Sequence, residues 1–289
     1  MQRFRSQVRS PGSGRHYTAF SDDPHGGNKA GVVLDASALD SGRMQEIATR
    51  LGYSESAFLT PRSDGSYNVR YFAPAAEVPF CGHATIAAAV ALAQGNGTGP
   101  LTFHTPVGEI PLDTFESDGH IRATLTSVDT QAVELSADLL ARLLAALRIS
   151  VDDLDPALPV LVSFAGNWHP IVPVASADVL ASLNYDFAQL AELMAEQGWG
   201  ATVNAVHRIT KNSFECRNPF PPGGVREDAA TGSAAASLGG YLRHLHELEL
   251  PADVSVRQGH HMGSASQLDV TIPMSGGIKV TGSAVRLDI

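Results

Sequence analysis

The sequence is poor in the residues that nucleic-acid binding, metal binding and disulfide formation require. It has two cysteines among 289 residues, and 30 acidic against 20 basic residues give a formal net charge of −10. Surfaces that bind phosphate backbones are basic, so no nucleic-acid partner is expected. Neither an HExxH motif nor a CxxC pair occurs, so no metal site is predicted. Cys81 and Cys216 lie far apart in the chain and are expected to be reduced thiols of an intracellular protein.

Cofactor-binding motifs are absent as well. The chain has no Walker loop, no GxSxG elbow and no glycine fingerprint that follows a predicted strand. Its lysines, Lys29, Lys211 and Lys279, lie in no motif that would support a pyridoxal phosphate site. We therefore expect no cofactor, and acid–base chemistry by side chains remains.

No long apolar run is present. The longest is the alanine-rich segment after His83, which is about half of the ~20 residues that a membrane span needs. Residues 1–15 contain arginines but no apolar stretch, so they do not form a secretory signal. We expect a cytoplasmic protein with no membrane partner and a loose N-terminal extension over residues 1–15.

Strand patterns dominate the rest of the chain, with a few helices between them, which predicts an α+β fold and not a doubly wound sheet. Two segments share one pattern, "YFAPAAEVPFCGHATIAAAVAL" and "NPFPPGGVREDAATGSAAASLGGYL". Each runs from an aromatic residue, proline and valine through a polar turn into an alanine-rich helix, with Phe72 matching Phe220 and Val78 matching Val225. The repeat suggests two lobes that are diverged copies of each other.

The start of each small-residue helix is a candidate anion site. The first turn of a helix has unpaired N–H groups and the positive end of the helix dipole. Two such N-termini that face each other would hold an anion between them. Small residues also permit close helix packing, so either interpretation is open for one helix alone.

Polar residues stand at both helix starts. His83 lies in the first turn of the first helix, where the dipole disfavours the protonated imidazole, and it could exchange a proton or serve only as a structural residue. Asp228 stands ahead of the second helix and could act on a substrate or only cap the helix. Ser233, inside that helix, could offer a hydroxyl to a ligand or simply be small.

Two more residues could carry chemistry. Glu55 lies in an apolar, strand-like segment, and alternation places it on the side of Ala57 and Leu59, so it either points inward or lies on an exposed strand face. An inward carboxylate is typical of a proton shuttle because desolvation favours its protonated form. Cys81, beside a helix N-terminus, could be a reactive thiolate or a small buried apolar residue.

Five motifs in order resemble the PhzF family, the phenazine-biosynthesis isomerases and their relatives: "GGNKAGVVLDA", "YSESAFL", "FAPAAEVPFCGHAT", "GVREDAATGSAAASLGGYL" and "QGHHMG". The resemblance implies a diaminopimelate epimerase-like fold with two pseudo-symmetric lobes. Each lobe would be a curved, mostly antiparallel sheet around a central helix, with the active site in the cleft between them. Residues 16–128 plus 276–289 would form the first lobe and residues 129–275 the second, and the chain would be a homodimer.

The resemblance also implies roles for individual residues. Glu55 matches the catalytic glutamate, which would remove a proton from carbon and return it elsewhere. His83 and Asp228 match the residues that assist proton movement. The substrate carboxylate would be bound by residues of the two helix starts: Cys81, Gly82, Thr231, Gly232 and Ser233.

The leading hypothesis is thus a cofactor-independent isomerase that acts on a small carboxylated metabolite similar to dihydro-3-hydroxyanthranilate. The sequence departs from the family pattern at Lys29, Ala229 and Cys81. The cysteine is similar to that of epimerases and racemases of this fold, which use one thiol from each lobe, but the matching position in the second lobe is about Ala230. An amino-acid epimerase that uses Cys81 with another base, or a non-catalytic small-carboxylate binding protein, remains an alternative.

Overall fold

The computed structural model describes residues 14–288, so residues 1–13 of the expected N-terminal extension lie outside the described residues, as does residue 289. The first strand begins at Arg15, inside the range expected for that extension. The strands are β1 Arg15–Ala19, β2 Asn28–Val33, β3 Glu55–Pro61, β4 Tyr67–Phe72, β5 Glu77–Val78, β6 Gly99–Thr105, β7 Gly108–Ser117, β8 His120–Thr126, β9 Gln131–Glu134, β10 Leu161–Phe164, β11 Trp168–Val174, β12 Asn204–Thr210, β13 Ser213–Arg217, β14 Pro219–Phe220, β15 Val225–Glu227, β16 Ala252–Gln258, β17 Ser266–Ile272 and β18 Lys279–Leu287.

The helices are fewer than the strands in this part of the chain, but most of them are longer. The α-helices are α1 Ser41–Leu51, α2 Gly82–Asn96, α3 Ala137–Leu147, α4 Ala177–Ser182, α5 Phe187–Gln197 and α6 Gly232–His244. Single turns of 3-10 helix lie at Val151–Asp153, Pro221–Gly223 and His260–Met262. The sheet-rich α+β class predicted from the sequence is confirmed.

Within the described residues, eight strands close into a ring around α2. The pairing order is β1-β2-β3-β4-β6-β7-β8-β18, and β18 pairs back onto β1. Helix α2 packs against β1, β2, β3, β7, β8 and β18, and every residue from His83 to Ala93 is buried. Alanine on all faces of α2 explains this arrangement, because interiors are close-packed and larger side chains would push the strands away.

The sheet continues from β18 through β17, β16, β13, β12, β11, β10 and β9. Helix α6 packs against β9, β10, β11 and β17 on one face of this part. Alternation along β10 separates the two faces: Leu161 joins the core that also holds α6, whereas Val162 joins a second core with α3, α4 and α5. Most pairings are antiparallel, and the parallel ones are β2–β3, β4–β6, β11–β12 and β13–β16.

A short hairpin precedes each small-residue helix, as the sequence repeat suggests. Strands β4 and β5 pair before α2, and β14 and β15 pair before α6, with Phe220 opposite Val225. The helix N-caps are Cys81 and Thr231. By its N-cap position, Thr231 corresponds to Cys81, one residue from the expected match at about Ala230, because the segment between hairpin and helix is one residue longer before α6.

None of the helices in residues 14–288 has the length and apolar character that crossing a membrane demands.

Candidate active site

The N-termini of α2 and α6 face each other where the closed ring meets the rest of the sheet. A Cβ atom added to Gly82 would lie 3.9 Å from the Cα atom of Gly232. The backbone N–H groups of Gly82, His83, Gly232 and Ser233 donate no hydrogen bond within residues 14–288, since the first intrahelical bonds come from the residues after them. Two positive helix ends with free N–H groups form a site suited to an anion.

A cavity of about 260 Å³ opens in front of these helix ends. Glu55, His83 and Asp228 lie on its wall together with the apolar rings of Phe80 and Phe220. Neither lysine nor arginine lines the cavity among the described residues. An anionic group bound here would therefore be held by N–H groups and hydroxyls and not by a cationic side chain.

Glu55 is the first residue of β3 and faces the ring interior. Ala57 and Leu59, on the same side of the strand, belong to the core around α2, as the alternation predicts. The Glu55 side chain is only 19% exposed, and its Oε2 atom lies 3.5 Å from Nε2 of His83. A carboxylate and an imidazole thus meet at the cavity wall.

His83 is buried, and its two ring nitrogens have different neighbours apart from Cys81, whose Sγ atom lies nearer to Nδ1 than to Nε2, which is 3.7 Å away. Nδ1 lies 3.3 Å from Sγ of Cys81 and 3.2 Å from Nδ2 of Asn28. Nε2 lies 3.3 Å from Oγ of Ser54 and faces Glu55. The imidazole is in contact with the cavity and held on both sides.

Cys81 is a buried thiol at the N-cap of α2. Burial raises the pKa of the Cys81 thiol well above its usual value, and the nearby Glu55 carboxylate raises it further. This shift favours the protonated thiol over a thiolate at this helix end. Cys216, on β13, is buried and does not line the cavity.

Asp228 lies across the cavity from Glu55, in the turn before α6. Its Oδ1 accepts a hydrogen bond of 2.7 Å from Asn28 Nδ2, and its Oδ2 accepts one of 2.6 Å from the Thr231 hydroxyl. Burial raises the pKa of Asp228, while His83 and the Thr231 hydrogen bond partly oppose that rise. The partners of the Asp228 carboxylate are thus side chains, Asn28 and Thr231, and not backbone N–H groups of α6.

Ser233 is paired with a histidine that the sequence did not suggest. Oγ of Ser233 lies 3.0 Å from Nε2 of His169, and Nδ1 of His169 lies 2.8 Å from the carbonyl oxygen of Thr202. A carbonyl only accepts, so Nδ1 carries the hydrogen and Nε2 accepts from the serine hydroxyl. Burial lowers the pKa of His169 to about 4, which keeps the ring neutral.

Gln258, the last residue of β16, fixes the turn between Asp228 and Thr231. Its Oε1 accepts from the Thr231 N–H at 3.0 Å, and its Nε2 donates to the Asp228 carbonyl at 2.8 Å. The "QGHHMG" motif thus supports the second helix start. Gln258, His169 and Asn28 were missed from the sequence, where each is only a polar residue within or beside an apolar strand.

Glu55, Cys81 and His83 could also bind a metal ion, because one ligand atom from each lies within 4.8 Å of the others. The surroundings suit such an ion poorly. A metal-bound histidine usually donates its second N–H to an acceptor, whereas Nδ1 of His83 faces the Asn28 amide nitrogen at 3.2 Å. The trio fits proton exchange better than it fits a metal ion.

Comparison with known proteins finds relatives that match most of the length of this chain. Residues 17–288 match the PhzC-PhzF family, described as phenazine biosynthesis-like protein. The chain is 30% identical over 285 residues to the uncharacterized isomerase YfhB of Bacillus subtilis, with 93% of this chain and 94% of that protein covered. It is 33% identical over 250 residues to trans-2,3-dihydro-3-hydroxyanthranilate isomerase of Pseudomonas fluorescens, with 86% of each covered.

A solved structure has a similar fold. The phenazine biosynthesis protein of the PhzF family from Bacillus anthracis superposes with a TM-score of 0.86 at 26% sequence identity, covering 95% of this chain and 96% of that one. The family match over residues 17–288 includes the elements that position the cavity.

Proposed function

The chain belongs to the phenazine biosynthesis-like PhzC-PhzF family and is an isomerase, and we propose that it moves a proton between carbons of a small carboxylated metabolite without a cofactor. A ring compound similar to trans-2,3-dihydro-3-hydroxyanthranilate is the proposed substrate, by analogy with the relative from Pseudomonas fluorescens.

The arrangement that carries this proposal is a carboxylate beside an anion site. Glu55 lies next to His83 at the cavity wall, and Asp228 lies opposite, while the two helix N-termini meet between them. A carboxylate substrate bound at the helix ends would hold its carbon atoms over Glu55. The free N–H groups form a fixed field that needs no reorganisation when charge develops on the substrate.

The substrate carboxylate would be bound mainly by backbone N–H groups of Gly82, Gly232 and their neighbours. In this structure the hydroxyl of Ser233 donates to His169. It can turn its hydrogen toward a bound carboxylate, since a hydroxyl rotates freely between acceptors. Phe80 and Phe220 would pack on the apolar part of the substrate.

The proton transfer needs only groups already at the wall. The Glu55 carboxylate takes a proton from a substrate C–H bond, whose electron pair moves into the adjacent double-bond system. The protonated Glu55, assisted by His83 and Asp228, then returns a proton to another carbon of the same system. Atoms and electrons balance, and no external oxidant or reductant takes part.

We further propose the two-lobe organisation, with residues 16–128 plus 276–289 around α2 and residues 129–275 around α6. Support comes from the hairpin that precedes each small-residue helix and from the return of β18 to β1 and β8. The homodimer that the family resemblance implies stays a prediction.

Proton NMR in D₂O with trans-2,3-dihydro-3-hydroxyanthranilate tests the reaction. We expect isomerisation with deuterium in the new C–H bond, and we expect Glu55→Gln to lower the rate by on the order of 10²–10⁴-fold, the usual contribution of a positioned acid or base. Glu116→Gln, at an exposed position on β7, is the matched control and should leave the rate unchanged.

Other results would change the assignment. An untouched ring compound would show that the substrate is different, and exchange of the α-hydrogen of an amino acid would favour an epimerase. A binding protein would be favoured if no substrate were isomerised or exchanged hydrogen with solvent, and if Glu55→Gln left ligand binding unchanged. Two observations count against the epimerase: burial raises the pKa of the Cys81 thiol, and Thr231 stands where a second thiol would be needed.

A further inference from the structure

Asn28 connects the two sides of the cavity through a single amide group. It is the first residue of β2, only 7% exposed, and lies on the same strand face as Ala30 and Val32, which belong to the core around α2. Its Nδ2 atom donates to Asp228 Oδ1 at 2.7 Å. The same nitrogen lies 3.2 Å from the Ala230 carbonyl oxygen. The Ala230 carbonyl carries no hydrogen and can only accept, so the amide nitrogen, and not its oxygen, must point inward.

The same nitrogen lies 3.2 Å from Nδ1 of His83. The amide nitrogen has two hydrogens: one goes to Asp228, and the other is shared between the Ala230 carbonyl and His83 Nδ1, both at 3.2 Å. Because the amide nitrogen cannot accept, a hydrogen on Nδ1 would face an N–H group, so a lone pair on Nδ1 is favoured. The Cys81 thiol, 3.3 Å from Nδ1, is protonated and can donate to that nitrogen as well. Both neighbours of Nδ1 are therefore donors.

The nearest neighbours of the other ring nitrogen can accept a hydrogen bond, and the Cys81 Sγ atom lies farther from it than from Nδ1, at 3.7 Å. Nε2 faces the Glu55 carboxylate oxygen at 3.5 Å, which can only accept, and the Ser54 hydroxyl at 3.3 Å, which can accept as well. A hydrogen on Nε2 is attracted by the carboxylate. A lone pair on Nε2 would instead face a carboxylate and be repelled.

We propose that Asn28 is a positioning residue that selects the Nε2–H tautomer of His83, so that the exchangeable hydrogen of this histidine lies on the nitrogen beside Glu55. The same amide ties the Asp228 carboxylate to this arrangement, so the groups on both sides of the cavity are set by one side chain. The consequence for catalysis rests on the proposed function, whereas the tautomer itself does not.

The tautomer can be observed directly. Long-range ¹H–¹⁵N NMR of histidine-labelled protein distinguishes the two ring nitrogens, and the His83 signal is the one that disappears in His83→Gln. We expect wild-type His83 to be in the Nε2–H form at neutral pH. We expect Asn28→Leu, which keeps the shape but removes the donor, to give a mixture of both tautomers and a kcat about tenfold lower, the loss expected for one hydrogen bond.

A matched control separates this effect from general loss of packing. Asn204, on β12, is a buried amide that bonds to the Ala234 carbonyl at 3.3 Å and does not line the cavity. Asn204→Leu should leave the His83 tautomer unchanged.

An Nδ1–H form in the wild-type protein would overturn the proposal, and it needs no variant to be observed. An unchanged Nε2–H form in Asn28→Leu would also overturn it. Neither result bears on the Glu55→Gln experiment, so failure of this inference and failure of the proposed reaction are distinguishable.

Discussion

Burial acts in opposite directions on the titratable side chains around the cavity. It raises the pKa of Cys81 and of Asp228 because it disfavours their negative charge. It lowers the pKa of His169 to about 4 because it disfavours a positive charge. In each case burial favours the neutral form of the side chain. The electrostatic field of the site therefore comes from the helix ends as well as from ionised side chains.

His169 should make the protein less stable as the pH falls. Its pKa is about 4 in the folded protein against 6.5 for an unperturbed histidine. Between these values the unfolded chain binds a proton that the folded chain does not, so the free energy of unfolding falls as the pH falls. The full loss is roughly 3.4 kcal/mol, from 1.36 kcal/mol per pKa unit. Urea unfolding of the wild type over this pH range measures it.

A variant without the His169 imidazole should lose part of the pH dependence of the free energy of unfolding. We expect His169→Asn, which keeps a donor for the Thr202 carbonyl, to show a shallower fall in the free energy of unfolding. His25→Asn, at an exposed position, should keep the wild-type slope. An equal slope in His169→Asn and the wild type would show that His169 does not cause the dependence.

At the scale of elements, the two small-residue helices use their glycines differently. In α2, a Cβ atom on Gly95 would meet nothing within 4 Å. In α6, a Cβ atom on Gly239 would lie 2.8 Å from Cγ2 of Ile278 and 3.0 Å from Cγ1 of Val270. The close approach of α6 to the sheet therefore requires glycine at position 239. Position 95, near the end of α2, has room for a larger residue.

The same substitution should thus have opposite effects in the two helices. Gly95→Ala should raise the free energy of unfolding by about 0.5–1 kcal/mol, because alanine loses less backbone entropy on folding. Gly239→Ala should lower it by about 1–3 kcal/mol through overpacking. Urea unfolding of both variants gives the two signs, and a stabilising Gly239→Ala would contradict the close packing of α6 on β17.

At the scale of the whole molecule, Phe20, which follows β1, contacts both the last strand, β18, and the start of α6. It is fully buried, its N–H donates to the Ser283 carbonyl at 2.8 Å, and its carbonyl accepts from the Gln267 N–H at 2.8 Å. Its ring lies against Gly282 of β18, where a Cβ atom would overlap it, and 3.6 Å from the position of a Cβ atom on Gly232. The closed ring of strands and the start of α6 therefore share this side chain.

Phe20→Ala should destabilise the protein as a unit. We expect the free energy of unfolding to fall by about 3–5 kcal/mol, the usual cost of truncating a buried phenylalanine. Circular dichroism, for the whole sheet, and fluorescence of Trp168 and Trp199, in the later half of the chain, should report one shared transition. Phe115→Ala, at a side chain that is 40% exposed, should cost far less. A loss confined to one of the two signals would show that the parts unfold separately.

Local sequence patterns determined the class of fold and part of the site. Alternation along β3 placed Glu55 on the side of Ala57 and Leu59, and the small residues and polar turns predicted the two helices that begin at Gly82 and Gly232. These features depend on a few neighbouring residues, so periodicity and turn chemistry are enough to predict them.

Tertiary structure alone decided which groups meet. Asn28 and Asp228 are 200 positions apart in the chain, and the pairing of Ser233 with His169 spans 64 positions. Such contacts depend on how β18 closes the ring onto β1 and on the length of the turn before α6, which also shifted the match of Cys81 from Ala230 to Thr231. No local pattern encodes strand order over these distances, because the contacts form only when the whole sheet is assembled.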